Sequence, residues 1–179
     1  MKVLGLVGSP RKNSNTDIAV TQILRGAEAS SHQTEKLYLY DLEIAPCVDC
    51  RNCKTKSNHQ CTIKDDMQLV YPKLEEADVV VFGSPLYWYG PTAKMKLLID
   101  RLRPYVESKK LKDKKAILVI PSAEGADACS FMAGAFELSF EYLGVDLAGK
   151  VLVKAYEKAE VAKQPATLKA TFELGKAIK

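Results

Sequence analysis

The chain has 179 residues, of which 47% are hydrophobic and 27% are charged, and its formal net charge at pH 7 is +4. This length fits one domain, and this hydrophobic content excludes a mainly disordered chain. The densest basic run, residues 109–115, lacks the interleaved aromatic residues of a nucleic-acid surface, so we interpret it as a solvated linker, with docking of an acidic electron carrier as the alternative.

Neither a membrane-spanning segment nor disulfides are expected. The first apolar stretch, residues 3–7, is followed at once by Gly-Ser-Pro-Arg and is far shorter than the roughly 20 residues that span a bilayer. The five cysteines are odd in number, and four of them lie within fifteen residues. We therefore expect a cytoplasmic protein in which these cysteines carry metal or redox chemistry.

Apolar runs rich in valine, leucine and isoleucine alternate with helical stretches, which predicts a parallel sheet covered by helices. The predicted strands are residues 3–7, 35–39, 79–82, 117–120 and 151–153, and the predicted helices are residues 16–29, 67–76, 93–102, 129–143 and 159–178. The alternating pattern of the second strand favours a place toward an edge of the sheet. In the third helix, Met95, Leu98, Ile99 and Leu102 form one apolar stripe that would face the sheet.

The loop after the first strand reads Gly-Ser-Pro-Arg-Lys-Asn-Ser-Asn-Thr and leads directly into a helix. The free N–H groups and the dipole at a helix start favour anions. Ser9, Ser14 and Thr16 add hydroxyl donors, and the Arg11 guanidinium is suited to phosphate. The dinucleotide and triphosphate loop patterns are absent, so a terminal monophosphate fits best. Capping of the helix by Ser14 or Asn15 is the simpler interpretation, and it can hold at the same time.

The only long irregular stretch covers about residues 41–65, and its part from about 44 to 65 is rich in cysteine. Cys47, Cys50, Cys53 and Cys61 form a Cys-x2-Cys-x2-Cys-x7-Cys pattern. Three thiolates at this spacing can wrap one face of an iron–sulfur cube, with the fourth supplied from further along the chain. Zinc is the main alternative, because four thiolates also satisfy a tetrahedral site, and a third possibility is that the cysteines bind nothing. His59 could replace Cys61, though we expect a solvated loop histidine.

The third predicted strand runs into a loop that reads Gly-Ser-Pro-Leu-Tyr-Trp-Tyr-Gly-Pro-Thr. Tyr87, Trp88 and Tyr89 follow a central strand at its carboxyl end, where ligands bind in open α/β sheets. They could wall a flat ring, while prolines on both sides stiffen the loop and Gly90 allows close approach of the backbone. An oligomer contact is the alternative for these aromatic residues. The isolated Cys129 is interpreted as a small buried hydrophobic residue.

The phosphate loop and the aromatic loop, followed by Lys-Leu-Leu-Ile-Asp-Arg-Leu, resemble the NADPH-dependent FMN reductase and iron–sulfur flavoprotein group of flavodoxin-like proteins over at least residues 1–103. The cysteine pattern is also similar to the cluster motif of iron–sulfur flavoproteins, and it lies in the same loop after the second strand. The resemblance implies one doubly wound, three-layer α/β domain over residues 1–179, with a five-stranded parallel sheet in the order 2-1-3-4-5.

The resemblance also implies the site residues. The FMN phosphate would be held by Ser9, Arg11, Ser14, Asn15 and Thr16, and the isoalloxazine and ribityl chain would be lined by Pro85, Leu86, Tyr87, Trp88 and Gly90. A third loop, with Ser122, Glu124 and Gly125, lies where the group closes the flavin site, although it is less glycine-rich than expected. Cys47, Cys50, Cys53 and Cys61 would bind a [4Fe-4S] cluster.

We therefore expect a flavin-dependent oxidoreductase in which electrons pass from a donor such as ferredoxin through the [4Fe-4S] cluster to FMN and on to a small acceptor. No catalytic side chain is named, because the cofactors carry the chemistry. One alternative is an NAD(P)H-dependent FMN, quinone or azo reductase with unligated cysteines, and another is a zinc-stabilised flavin-binding module without turnover. The resemblance further implies a homodimer or homotetramer, and we expect neither a nucleic-acid nor a membrane partner.

Overall fold

A computed structural model describes residues 1–179. Five parallel strands form one sheet: β1 (Lys2–Val7), β2 (Gln33–Tyr38), β3 (Val79–Gly83), β4 (Lys115–Ser122) and β5 (Asp146–Lys154). Their order is β2-β1-β3-β4-β5, so the direction of the winding reverses between β1 and β3. The flavodoxin-like α/β fold and strand order predicted from the sequence are confirmed, and β2 lies at an edge as expected.

Seven α-helices connect and cover the strands: α1 (Asn15–Ala29), α2 (Asn52–Thr55), α3 (Met67–Glu76), α4 (Ala93–Asp100), α5 (Pro104–Ser108), α6 (Ser130–Leu143) and α7 (Pro165–Lys176). One hydrophobic core packs α3, α4, α5 and α6 against one face of the sheet. A second core packs α1 and α7 against the other face. β1 serves both cores, because Leu4 and Leu6 point to one face and Val3 and Val7 to the other. None of the helices combines the length and apolar character needed to cross a bilayer.

Two glycines allow α1 and α7 to cross at close range. A Cβ atom at Gly26 would lie 2.1 Å from the carbonyl oxygen of Phe172, and one at Gly175 would lie 2.0 Å from the carbonyl oxygen of Ile23. Both distances are far below van der Waals contact, so a side chain at either position would push the helices apart. Glycine at these positions therefore sets how closely α7 packs on α1.

The structure departs from the predicted elements mainly at prolines. The last predicted helix is divided into a 3-10 turn at Glu160–Lys163 and α7, because Pro165 cannot continue a helix and instead takes the first helical position. The third predicted helix ends at Asp100, and Pro104 begins α5. β5 is longer than predicted, since its outer residues alternate between exposed and half-buried positions rather than forming an apolar run.

The basic run at residues 109–115 leads into the amino end of β4. Lys110 pairs with Glu75 at 2.7 Å, and Lys114 donates to the carbonyl oxygens of Glu75 and Ala77 at 2.8 and 2.6 Å. These lysines fasten the segment to the end of α3. The arrangement favours the linker interpretation over a docking surface.

Candidate functional site

Three loops meet where the strand order reverses, at the carboxyl ends of β1, β3 and β4. Val7 pairs with Gly83, which in turn pairs with Val119, so the loops that follow begin side by side. The N–H of Gly8 donates to the carbonyl oxygen of Gly83 at 2.7 Å, and the Thr92 hydroxyl donates to that of Gly8 at 2.5 Å. Ligands bind at such switch points in open α/β sheets, and this edge is the candidate flavin site.

Two buried side chains that the sequence analysis did not single out, Ser84 and Thr92, hold the aromatic loop in place. The Ser84 hydroxyl accepts the N–H of Thr92 at 3.0 Å and donates to the carbonyl oxygen of Pro85 at 3.1 Å. Thr92 caps α4, since its hydroxyl accepts the N–H of Met95 at 3.4 Å. Their only signal in the sequence is a small polar residue at each end of the loop.

The loop between β1 and α1 buries two serine hydroxyls against each other. The Oγ atoms of Ser9 and Ser14 lie 3.1 Å apart, and the Ser9 hydroxyl accepts the N–H of Arg11 at 3.2 Å. Ser14 stands at the N-cap of α1, but its side chain accepts no N–H of the helix, so the capping interpretation is wrong for this hydroxyl. Thr16 is buried in the first turn, whereas Arg11 is exposed. The loop thus brings hydroxyls beside the free N–H groups of a helix start, which suits a phosphate.

Asn15 belongs to the predicted phosphate site, but its side chain is engaged elsewhere. Its amide group donates to the carbonyl oxygen of Glu157 at 2.8 Å, and its oxygen accepts the N–H of Val161 at 3.1 Å. These partners lie 142 and 146 residues later in the chain, after β5. The Asn15 side chain therefore fastens the segment after β5 to the phosphate loop. What Asn15 can offer to a ligand at the start of α1 is its backbone N–H.

The Asp17 carboxylate holds the phosphate loop in place through hydrogen bonds, a role that the sequence analysis missed. Its carboxylate accepts the N–H of Asn13 at 2.7 Å, the ammonium of Lys36 at 2.8 Å and the hydroxyl of Tyr38 at 3.0 Å. Asn13 has a positive φ of 55°, so this bond fixes the loop in a left-handed turn. Burial raises the pKa of Asp17, but the hydrogen bonds from Lys36 and Asn13 outweigh it, and the pKa lies below its ordinary value. Sequence alone shows only an acidic residue in a first helical turn.

The three aromatic residues form a tight turn that projects from the sheet edge. Tyr87 and Gly90 exchange backbone hydrogen bonds of 2.9 and 3.0 Å, and Trp88 and Tyr89 between them have φ values of 51° and 61°. This is the geometry of a type I′ turn, which bulky residues adopt only at an energetic cost. The Trp88 side chain is 97% exposed. The contact of Pro85, Leu86, Tyr87, Trp88 and Gly90 with a flavin remains a prediction.

The third loop is fixed by Ser122 and Cys129. The Ser122 hydroxyl accepts the N–H of Glu124 at 3.1 Å, and Gly125 has a φ of 90° that favours glycine. The Cys129 thiol donates to the carbonyl oxygen of Gly125 at 3.3 Å. Cys129 is fully buried, as predicted, and burial raises the pKa of its thiol.

The second candidate site is a small cavity on the α4 side of the sheet, which we call the cysteine pocket. Cys47, Cys50, Cys53 and Cys61 all line it, together with Arg101 and Arg103 and others. The chemistry of this donor set fits a centre bound by four thiolates. No group of three or more potential ligands stands at metal-binding spacing in the structure, so metal binding at these cysteines remains a prediction.

Arg101 closes the neck of the cysteine loop, and sequence analysis did not find it. Its side chain is 1% exposed, and it holds the Asp65 carboxylate through two hydrogen bonds of 2.5 and 3.1 Å. The same guanidinium donates to the carbonyl oxygen of Ala45 at 2.9 Å. Burial raises the pKa of Asp65, but the hydrogen bonds from Arg101 and from the N–H groups of Ala45 and Met67 together outweigh it, so its pKa lies below the ordinary value. Since Ala45 precedes the cysteines and Asp65 follows them, Arg101 ties both ends of the loop together.

The four thiols differ in their surroundings. Burial, together with the neighbouring Cys61, raises the pKa of the Cys53 thiol. Cys50 is exposed, and hydrogen bonds from the N–H of Asn52 and the hydroxyl of Thr62 lower the pKa of its thiol. His59 is half-buried with Nδ1 3.2 Å from the carbonyl oxygen of Cys53, so it is not the freely solvated histidine expected from the sequence.

α4 connects the candidate flavin site to the cysteine pocket. The helix starts directly after Thr92, which closes the aromatic loop, and ends at Asp100, directly before Arg101. Eight residues at 1.5 Å each give a helix roughly 12 Å long. The two sites therefore lie at opposite ends of one short helix, of which Met95 and Leu98 are buried.

Comparison with known proteins gives matches along most of the chain. A family model described as NADPH-dependent FMN reductase matches residues 1–153. An iron-sulfur flavoprotein of Methanocaldococcus jannaschii is 40% identical over 104 residues, which cover 58% of this chain and 53% of that protein. The chain spans about half the length of the iron-sulfur flavoproteins that it matches.

Two further matches extend over nearly the whole chain. The Bacillus subtilis protein YwqN, named as an NAD(P)H-dependent FMN-containing oxidoreductase, is 24% identical over 182 residues, covering 97% of this chain and 96% of that protein. The solved structure of a flavone reductase is similar with a TM-score of 0.78 at 18% identity, covering 98% of this chain and 61% of that chain. This structural likeness supports the fold.

Proposed function

Because the chain belongs to the NADPH-dependent FMN reductase family, we propose that it is an iron–sulfur flavoprotein that moves electrons from a reduced donor to a small acceptor. FMN would bind at the three loops on the carboxyl edge of the sheet, and a [4Fe-4S] cluster at Cys47, Cys50, Cys53 and Cys61. The observation that carries this proposal is that all four cysteines line one pocket. FMN supplies two-electron chemistry and the cluster one-electron chemistry, while the protein supplies binding and orientation.

The chain's own residues divide the binding of FMN between them. In this proposal the hydroxyls of Ser9, Ser14 and Thr16 and the N–H groups at the start of α1 hold the phosphate, and Arg11, which is exposed, reaches it from solvent. Asn15 contributes through its backbone N–H, because its side chain holds Glu157 and Val161. Residues 85–90 line the ring and ribityl chain from one side, and Ser122, Glu124 and Gly125 from the other.

The neck formed by Arg101, Asp65 and Ala45 supports a ligand role for the cysteines. A long surface loop without such a closure would leave the cysteines free to separate, and ordering it would cost conformational entropy on binding. Here the buried Arg101–Asp65 pair already fixes both ends of the loop. The part between them, with the cysteines, is thereby held as one closed loop around a single cavity.

The donor and acceptor follow from the cofactors. A cluster takes up single electrons, so we propose a one-electron carrier such as ferredoxin as donor, with NAD(P)H as the alternative, and a small molecule as acceptor. Five free cysteines suit a reducing compartment such as the cytoplasm. Three exposed apolar residues on α6, namely Phe131, Leu138 and Tyr142, support a homodimer or homotetramer.

A second candidate function is an NAD(P)H-dependent reductase that holds FMN and no cluster. Two observations favour it. The match to the Bacillus subtilis FMN-containing oxidoreductase covers 97% of this chain, and no set of three ligands stands at metal-binding spacing. Under this alternative the cysteine loop is a structural element closed by Arg101.

Anaerobic reduction of the bound flavin separates the two functions. Flavin absorbance is followed after mixing the protein with reduced ferredoxin or with NADPH, for the unaltered protein and for Cys50→Ala. The proposal predicts rapid reduction by ferredoxin that slows at least tenfold in Cys50→Ala, because a missing thiolate ligand disrupts the cluster. A tenfold slower rate corresponds to an activation barrier about 1.4 kcal/mol higher. Equally fast reduction by NADPH in both proteins would instead establish the cluster-free reductase.

A further inference from the structure

Two arginines just beyond the end of α4 each have a buried N–H donor without an acceptor. The Nε atoms of Arg101 and Arg103 are inaccessible to solvent and make no hydrogen bond in the structure. Such orphaned buried donors are rare in folded proteins, because they lose water without gaining a partner. Both residues line the cysteine pocket.

The two arginines are anchored in the same way. Two terminal nitrogens of Arg101 hold Asp65, and a terminal nitrogen of Arg103 lies 3.1 Å from the Asp49 carboxylate. The Asp65 carboxylate takes terminal N–H groups of Arg101, the Asp49 carboxylate lies beside one terminal nitrogen of Arg103, and in both arginines the Nε–H stays unused. Each of these two pocket-lining arginines therefore keeps one Nε–H without an acceptor.

We propose that Arg101 and Arg103 form the cationic wall of the cysteine pocket, donate their Nε–H groups to cysteine sulfur, and raise the reduction potential of the centre bound there. This inference rests on the proposed function, since it concerns the iron–sulfur centre. Four thiolates around a [4Fe-4S] core carry net negative charge, and hydrogen bonds to sulfur together with nearby charge are what set its potential.

The charges around the thiols agree with this assignment. Both guanidinium groups line the cavity together with the four thiols, so two positive charges stand beside the site. Reduction adds an electron to an already anionic centre, so a cation held beside it makes reduction easier.

Arg103 is the better residue to test. Arg101 closes the neck of the loop, and its removal would leave Asp65 buried and unpaired. Arg103 makes one ion pair, with Asp49, and its side chain is partly exposed. Arg103→Gln removes the charge, Arg103→Lys keeps it, and Asp49→Asn breaks the same ion pair while leaving the arginine in place.

The test is a redox titration with dithionite and mediators, followed by absorbance and by electron paramagnetic resonance, with iron and sulfide measured in each protein. Arg103→Gln should make reduction at least tenfold less favourable, which is about 59 mV lower for a one-electron couple. Asp49→Asn should shift the potential upward, because it removes a neighbouring negative charge. Arg103→Lys should change the equilibrium constant for reduction by less than about threefold relative to the unaltered protein. Loss of iron in Arg103→Gln but not in Asp49→Asn would also support the inference.

The opposite shifts separate an electrostatic role from a structural one. If Arg103→Gln and Asp49→Asn lower the potential alike, or both lose iron, the ion pair merely holds the loop and the inference is wrong. An unmoved potential in an iron-loaded Arg103→Gln also overturns it while leaving the proposed function intact. Absence of iron and sulfide from the unaltered protein overturns the proposed function itself, and this inference with it.

Discussion

Asp17 is the single residue on which the shape of the predicted phosphate site most depends. Its buried carboxylate joins the loop at Asn13 to Lys36 and Tyr38 at the edge strand β2. The ammonium groups of Lys12 and Lys36 also lie over the Tyr38 ring, 4.9 and 5.0 Å from its centre. The phosphate loop is therefore held by a network outside the residues expected to touch phosphate.

Replacing Asp17 with Asn is expected to weaken FMN binding about tenfold. A neutral amide holds Lys36 and the Asn13 N–H less strongly than a carboxylate does. A hydrogen bond to a charged group contributes about 1.5–3 kcal/mol, and a loss of about 1.4 kcal/mol corresponds to a tenfold change in affinity. Quenching of FMN fluorescence on titration with apoprotein measures it. Thr21→Val, which removes a hydroxyl 3.4 Å from the carboxylate, is the matched control and should change affinity less than about twofold. Equal affinities for all three proteins would show that Asp17 does not shape the site.

Asp17 also predicts a pH dependence of stability. Its pKa is lower in the folded protein than its ordinary value, so the ionised carboxylate stabilises the fold above that value, and this stabilisation is lost as the pH falls through the folded-state pKa. The free energy of unfolding should exceed that of Asp17→Asn by about 1–3 kcal/mol at neutral pH, and the difference should shrink below about pH 4. Urea denaturation across this range measures it. A difference that stays constant down to about pH 3 would contradict the prediction.

Part of the candidate site can be predicted from residue types that lie close together in the sequence. The remaining residues owe their roles to partners that are distant in the chain. Hydroxyls after a strand and closely spaced cysteines carry their chemistry in local sequence, so they could be predicted. Arg101 could not, because its partners Ala45 and Asp65 lie 56 and 36 residues away. The family resemblance implies a phosphate role for Asn15, yet its side chain bonds to Glu157 and Val161, which lie 142 and 146 positions later in the chain.

Among the elements, the turn at Tyr87 to Gly90 is the least predictable from sequence. Type I′ turns favour Asn-Gly or Gly-Gly, whereas here Trp88 and Tyr89 occupy the two left-handed positions. Strain of this kind persists where the surroundings enforce it and is concentrated at binding sites. The hydrogen bonds of Ser84 and Thr92 at the base of the loop supply that enforcement.

The crossing of α1 and α7 gives a prediction about helix packing. Gly26→Ala should lower the free energy of unfolding by about 1–3 kcal/mol, because the added methyl group would meet the backbone of α7 and force the helices apart. Urea denaturation measures the change. Gly134→Ala on α6 is the matched control, since its Cβ would meet no atom within 4 Å, and it should stabilise the protein by up to about 1 kcal/mol through helix propensity. Equal effects of the two substitutions would contradict the close approach.

Element boundaries followed from sequence where an apolar run was buried on both faces. β1 and β3 are predicted to within one residue, because parallel central strands read as continuous hydrophobic runs, whereas β4 extends two residues beyond its predicted range at each end. β5 was underestimated, since alternation at a sheet edge resembles a loop. Pro104 and Pro165 begin α5 and α7, at the first helical position that proline favours.

At the scale of the whole molecule, α6 presents an apolar face to solvent. Phe131, Leu138 and Tyr142 are each more than two-thirds exposed and lie on one side of this helix. Contiguous exposed apolar surface of this kind is typical of a protein interface. It is the feature of this chain that supports the proposed homo-oligomer.

Leu138→Glu is expected to lower the oligomeric state, because a charge at the centre of an apolar interface would be desolvated without a partner. Light scattering coupled to size-exclusion chromatography measures the molar mass. Leu69→Glu on α3 is the matched control, since Leu69 is also exposed but lies away from α6, and it should leave the mass unchanged. The same molar mass for Leu138→Glu and the unaltered protein would exclude this face as the interface.

The central claim is that one chain holds both FMN and an iron–sulfur cluster, and chemical analysis of protein purified without oxygen tests it most directly. Iron, sulfide, zinc and FMN are measured in the unaltered protein, in Cys50→Ala and in Cys129→Ala, whose cysteine lies outside the pocket. We predict about four iron, four sulfide and one FMN per chain, with iron and sulfide lost in Cys50→Ala and kept in Cys129→Ala. FMN without iron and sulfide, or about one zinc per chain, would contradict the account.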